Sequence, residues 1–250
     1  MSDAPFVHLH CHTDYSLLDG ACEISQLMDI VAEQKMPAVA MTDHGNIFGA
    51  VQFYNAAKSK GVKPVIGCEV YVSQGNHKNR SDQDRYNHLV LLCETQEGYR
   101  NLIELVTTGY LDGFYYKPRV DKDLLARHSK GLVCLSACLR GDLNEAILAD
   151  KYEEARRLAY EYQDIYGKGN FFLELQDHGL DQDRQVIPGN IRLSRDTGIP
   201  LVATNDAHYL RKTDARAHEI LLCIQTGKSM SDDRRMRFTT QEFHLRTKEE

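Results

Sequence analysis

The chain has 250 residues, 42% of them hydrophobic, enough for one full core of the size at which α/β barrels fold as single domains. A net charge of −6 excludes a global basic field for nucleic acid, though not a local groove, and no apolar run approaches the ~18 residues that span a bilayer. Seven cysteines, an odd number spread over strand-like and helix-like segments, read as reduced thiols and not a disulfide framework, and with no signal-peptide core they predict a cytoplasmic protein.

Taken in order, Phe6 to Cys11 reads as a short buried strand, followed by a polar loop to Gly20. Ile24, Leu27, Met28 and Val31 have helical spacing, so Glu23 to Met36 is expected as a helix that Pro37 ends. Ala38 to Thr42 is an apolar strand closed by Asp43-His44-Gly45-Asn46, and Ile47 to Lys60 a helix capped by Gly61. Pro64 to Val72 is the third strand, Gln74 to Asn87 a polar loop, and His88 to Cys93 the fourth strand. A helix over Glu97 to Tyr110 leads to an aromatic, basic loop, Phe114-Tyr115-Tyr116-Lys117-Pro118-Arg119, and a short helix over Lys122 to His128. Leu132 to Cys138 is the fifth strand, with helices over Asp142 to Asp150 and Tyr152 to Tyr166. Phe171 to Leu175 is the sixth strand. Asp181 to Asp196 is helical with a disturbance expected at Pro188-Gly189. Leu201 to Thr204 is the seventh strand, Thr213 to Thr226 the closing helix, and Arg234 to Glu250 is charged.

Seven buried β-runs separated by helices predict a parallel sheet closed into a distorted seven-stranded (β/α)7 TIM-like barrel, with an open doubly wound sheet as the alternative. In such barrels chemistry gathers where strands end. On a strand, His10 and His12 point the same way and Asp19 can reach back to them. The other strand ends supply His44, Glu69, Cys138, Asp206 and His208, with Asp206 and His208 repeating the two-residue spacing. His88 opens its strand, so the position rule does not select it. Mixed imidazole, carboxylate and thiolate donors suit Zn²⁺, Mn²⁺ or Fe²⁺ better than Mg²⁺ or Ca²⁺. With His88 included, so many donors require two or three divalent metal ions, a carboxylate such as Glu69 bridging, and hydrolysis of a phosphoester is the chemistry they serve.

The segments HLHCHTDYSLLDG, MTDHGN, GCEVYV, NHLVLL, LSACLRGD and TNDAH resemble the motifs of the PHP (polymerase and histidinol phosphatase) family. The stretch AMTDHGNIFGAVQFYNAAKSKGVKPVIGCEVYV is similar to its branch at the start of bacterial replicative DNA polymerase III alpha subunits. The resemblance runs from about Phe6 to Glu250 and implies a trinuclear metal centre. By position, His10, His12, Glu69 and Asp206 would hold one ion, Glu69, His88 and Cys138 a second, and Asp19, His44 and His208 the third. Some members have lost ligands; this chain has a competent residue at all nine positions. The resemblance also gives His8 and Asp43 supporting roles through hydrogen bonds, to the motif and to His44.

It implies a barrel over residues 5–230 and a charged extension over 231–250 leading to polymerase domains absent from this chain, which alone would not polymerise. Three functions are then in play. The first is a metal-dependent 3′–5′ exonuclease acting on DNA 3′ ends during replication. The second is a small-molecule phosphatase or pyrophosphatase. The third is a metal-stabilised docking domain for the polymerase core or a separate proofreading exonuclease subunit. Tyr116, Lys117 and Arg119 could stack on and neutralise a single strand, or pack on the barrel rim. Arg140 could contact a phosphate or cap the next helix. His178 could line the mouth but reads more simply as a solvated loop residue, and His77, His128 and His244 as surface histidines.

Overall fold

The computed structural model describes residues 6–81 and 85–250; the expectations touching residues 5 and 82–84 lie outside them. Eight strands run as β1 (Ala38–Met41), β2 (Lys63–Ser73), β3 (Tyr86–Cys93), β4 (Phe114–Tyr115), β5 (Lys117–Val120), β6 (Leu132–Leu135), β7 (Phe171–Leu175) and β8 (Leu201–Ala203). Between them lie α1 (Ile24–Glu33), α2 (Ala50–Ser59), α3 (Gln96–Leu111), α4 (Lys122–Arg127), α5 (Asp142–Leu148), α6 (Tyr152–Tyr166), α7 (Asp183–Thr197) and α8 (Ala215–Thr226).

The sheet is mixed where an all-parallel one was expected. β1 pairs parallel with β2, and β6, β7 and β8 are parallel in turn, but β3 is antiparallel to both β2 and β6. The cause is local: among the described residues no helix lies between β2 and β3, and so short a helix-free link suits an antiparallel pair.

The sheet curls, and the N-terminal segment crosses its seam. Ala40 N–H donates to His8 O and Thr42 N–H to Cys11 O on one side; His12 N–H donates to Ala207 O and Ala207 N–H to His10 O on the other. This segment, β1, β2, β3, β6, β7 and β8 are the staves of the distorted barrel. The segment is no regular strand, because the chain bends at Leu9–His10. The basic aromatic loop forms a small hairpin of β4 and β5, with β5 added to the edge of β2. Helix α7 runs unbroken past Pro188.

Alternation then sorts the side chains. Cys68, Val70, Leu89, Leu91, Cys134, Phe171 and Leu173 share a core with Leu102, Leu105, Leu143, Leu158 and Leu193 of the surrounding helices. Each such buried side chain contributes roughly 1.5–3 kcal/mol. The opposite faces point inward, where Ala40, Val90, Leu92 and Leu135, with Val65, Phe172 and Val202 against them, make an apolar floor. One or two steps further along the same faces come Glu69, His88, Glu174, Thr204 and Asp206.

Candidate metal centre

Three turns that carry donors hold non-glycine residues at positive φ: Leu18 (61°) before Asp19, Ala137 (62°) before Cys138, and Asp206 itself (45°). Such backbone costs of order 1–3 kcal/mol each and persists where the surroundings enforce it, as at functional sites. Gly45, after His44, has φ 64°, and a Cβ there would lie 2.8 Å from Pro118 Cγ and 2.9 Å from Tyr71 Cε2. Only glycine fits that turn.

The nine candidate residues meet above the apolar floor. Asp206 Oδ1 lies 3.1 Å from His10 Nε2 and 3.0 Å from His12 Nε2. The Glu69 oxygens lie 3.5 Å from each of the same two nitrogens. Glu69 also reaches His88 Nδ1 at 2.9 Å, His44 Nδ1 at 2.6 Å and Cys138 Sγ at 3.8 Å. Asp19 is 3.3 Å from His44 Nε2 and 3.9 Å from His208 Nε2. Glu69 thus sits between two groups of donors, and Asp19, His44 and His208 form a third around the ring of His12, which stacks on His44 at 4.1 Å. Among the described residues, His10–His12–Glu69, His44–Glu69–His88 and His12–His44–His208 are each spaced to share a cation.

The donor atoms lack partners. His10 Nε2, His12 Nε2, His44 Nδ1, Glu69 Oε2, Asp19 Oδ1 and Asp206 Oδ1 are all buried without a hydrogen bond. So many buried lone pairs aimed at one another would be costly in a purely structural role, and divalent ions would satisfy all of them. The residues therefore fit the ions that the sequence implies.

The electrostatics agree. Burial opposes charge throughout, yet the imidazoles of His88, His44 and His10 hold Glu69 well below the usual carboxylate range, and those of His10, His208 and His12 do the same for Asp206. Against the same burial, the carboxylates of Glu69 and Asp19 raise His44 to about 10. Burial, with His44 and His208 beside it, pushes His12 down to about 3. Burial and the nearby Glu69 push the Cys138 thiol up. Metal binding would have to displace these protons, so affinity should rise with pH.

Further hydrogen bonds aim the rings. Ser16 Oγ–H donates to Asp43 Oδ1 (2.8 Å) and accepts from His12 Nδ1 (3.0 Å) and the His44 N–H (3.1 Å). Asp43 also accepts from the N–H (2.7 Å) and hydroxyl (2.8 Å) of Thr13. Asp43 therefore steers His12 through Ser16, and does not touch the His44 ring. His218 Nε2 holds the carbonyl of Asp19 at 2.7 Å. Sequence reasoning gave no role to Glu174, yet His10 Nδ1 lies 2.7 Å from its Oε1. Its signal was an acid on the inward face of an otherwise apolar strand, FFLEL.

Several expectations need correction. His8 is buried, with Nε2 on the carbonyl of Arg246 (2.9 Å), away from the donors. Arg119 is 1% exposed and donates to the carbonyls of Gly113, His77 and Asn79, so it is a structural clamp and no contact for DNA. His77 is buried against Asp121 and His244 against the Gln241 carbonyl, so neither is a surface histidine; His178 is buried against Phe243 and the Asn205 carbonyl and lines the mouth of the centre, so it is no solvated loop residue. Within the stretch read as an extension, Phe243 and Leu245 are buried, and Asn205 Nδ2 donates to the carbonyls of Glu242 and His244.

The centre opens into a cleft of ≈ 540 Å³ walled by Cys138, Arg140, Met236, Arg237, Phe238 and Phe243. Tyr116 and Arg140 are exposed, and Lys117 Nζ lies 5.2 Å over the ring of Tyr71, which also neighbours the rings of His44, His88 and Tyr86. A larger cavity of ≈ 730 Å³, lined by Asn87, Asp121, Asp142 and Glu161, touches none of the nine.

Residues 8–178 match the model of a family described as the PHP domain. A protein named DNA polymerase III subunit alpha from Treponema pallidum (strain Nichols) is 46% identical over 252 residues, covering 100% of this chain and 22% of its own. One of the same name from Thermus aquaticus is 45% identical over 258 residues, covering 100% and 21%. The chain thus spans about a fifth of the length of these curated relatives. Among solved structures, a candidate metal-dependent phosphoesterase from Bifidobacterium adolescentis superposes with a TM-score of 0.52 at 13% identity, over 83% of this chain and 89% of that one. At that identity the likeness is one of fold. No helix among the described residues is long and apolar enough to cross a membrane.

Proposed function

The chain belongs to the PHP domain family, on the branch of the DNA polymerase III alpha subunits, and from that premise we propose that it is a multinuclear metal-dependent phosphoesterase that removes nucleotides from DNA 3′ ends. The observation that carries this reading is the convergence of nine donor residues at the mouth of a barrel, six of them with a buried donor atom that has no hydrogen-bond partner. His10, His12, Glu69 and Asp206 would hold one ion, Glu69, His88 and Cys138 another, and Asp19, His44 and His208 a third. The donor set suits Zn²⁺, Mn²⁺ or Fe²⁺. When bound, such ions supply an acidified water and positive charge against a phosphate.

The chain's own residues do the rest. Ser16 and Glu174 aim rings, Phe238 and Phe243 keep one wall of the cleft apolar, and Arg140 in the cleft lining, Lys117 over the Tyr71 ring and the exposed Tyr116 beside it are our candidates to meet a strand. A recessed centre reaches a strand end more readily than a stacked internal bond, and unpairing is cheaper at a mismatch. Weak, salt-sensitive DNA affinity is expected of an acidic chain, with the other alpha-subunit domains delivering the strand and a separate exonuclease subunit as a further candidate partner. The barrel would occupy residues 5–230, with 231–250 an extension anchored through Phe243 and Leu245, in a cytoplasmic replication protein.

The test is a labelled primer with a mismatched 3′ end, supplied with Mn²⁺ or Zn²⁺. Mononucleotide release by the parent and not by Asp19→Ala supports the reading. Equal degradation by both marks contamination, and cleavage of only pyrophosphate or histidinol phosphate overturns the DNA substrate.

A further inference from the structure

Glu174 stands out among the buried acids. Its residue is 1% exposed, and Oε2 has no hydrogen-bond partner. Oε1 faces His10 Nδ1 at 2.7 Å and accepts from Gln176 Nε2 at 2.9 Å and from the Thr204 hydroxyl. No lysine or arginine pairs with it in any described ion pair; its cationic partner there is the ring of His10. A buried carboxyl whose one charge partner is an imidazole is among the costlier features a fold can carry. The opposite nitrogen of the same ring, Nε2, is unpartnered and faces Asp206 Oδ1 at 3.1 Å.

We propose that Glu174 is a positioning residue for the metal centre: it fixes the proton of His10 on Nδ1, turns the Nε2 lone pair into the site, and makes that nitrogen a stronger donor. The inference rests on the metal-centre reading above. A carboxylate on the far side of a ligating imidazole locks ring orientation and raises its basicity, and loss of such a partner weakens metal affinity about 10–100-fold. Thr204 and Gln176 hold Glu174 in turn, so the arrangement is a buried relay from β7 and the end of β8 to the seam segment.

The experiment uses the whole chain, reloaded with Zn²⁺ and titrated against a chelator of known affinity. Glu174→Ala should weaken the tightest affected site about 10–100-fold. Glu174→Gln, which keeps the acceptor and the volume but not the charge, should recover part of that loss. In the Zn²⁺-loaded protein the Nδ1 proton of His10 should give a sharp NMR signal in the parent and in Glu174→Gln, and exchange away in Glu174→Ala. In a His10→Ala background, Glu174→Gln should change affinity no further. Wild-type affinity in both folded Glu174 variants overturns the positioning role and leaves the metal-centre reading standing, as does a Glu174→Gln effect that survives loss of His10. A parent chain that takes up no metal overturns both.

Discussion

Two layers of the barrel interior are built from the same strand faces and obey opposite rules. In the floor, Val65, Val90, Leu92, Leu135 and Phe172 fill space, and every atom finds its partners by packing. Two to four residues further along, Glu69, His88, Glu174 and Asp206 crowd lone pair against lone pair and leave several without partners. The lower layer is what a stable barrel requires. The upper layer lowers stability unless something cationic enters. Adjacent positions on one strand can therefore answer to different constraints, and a substitution should report which layer it touches.

The largest contrast lies in activity. Asp19→Ala or His12→Ala should bring metal-dependent phosphoester cleavage to background while the circular dichroism spectrum stays that of the parent; a folded, fully active variant would dissolve the distinction between layers. The converse change is Leu135→Ala in the floor. It should cost about 2–5 kcal/mol in urea unfolding, as large-to-small core changes do, with unaltered metal stoichiometry in the folded fraction. Chelation comes next. Removing ions present at about 100 times their dissociation constant should lower stability by about 2.7 kcal/mol per occupied site, and by the same amount in Leu135→Ala, because the layers are separable. Unequal losses would show them coupled.

The smallest effect concerns pH, and it contrasts two mouth histidines. His44 has carboxylates beside it, whereas burial, as the largest influence, lowers His178 below the ordinary histidine value. A base with a lowered native pKa binds its proton more readily when unfolded, so His178 subtracts stability as pH falls through the ordinary histidine range near 6.5. In chelated protein, His178→Gln should flatten the acid side of the stability curve modestly; an unchanged slope would remove His178 from the account.

Much of this was legible in the chain. All seven staves appear as apolar runs, and eight of the nine donors follow from the rule that strand ends carry chemistry. His88 escapes that rule for a physical reason. β3 runs against its neighbours, so its beginning lies where their ends lie, and only the helix-free link between β2 and β3 signals the reversal. Glu174 was visible as an acid in an apolar strand, but nothing local says which ring it meets. Arg119 defeats sequence reading more thoroughly. Beside Tyr115, Tyr116 and Lys117 it resembles a strand-binding cation, and its burial depends on carbonyls at His77 and Asn79, in another loop. Long-range backbone partners leave no trace in spacing.

The seam of the barrel has a kinetic consequence. Cys11 pairs with Ala207, and the first proposed metal position would draw His10 and His12 from one end of the described chain and Asp206 from near the other. No shorter piece of the polypeptide contains that position, and contacts between residues so distant in sequence form slowly because a long loop must first be closed. Metal uptake at this position must then follow completion of the ring, and the appearance of a bound ion during refolding would time the closing of the last stave.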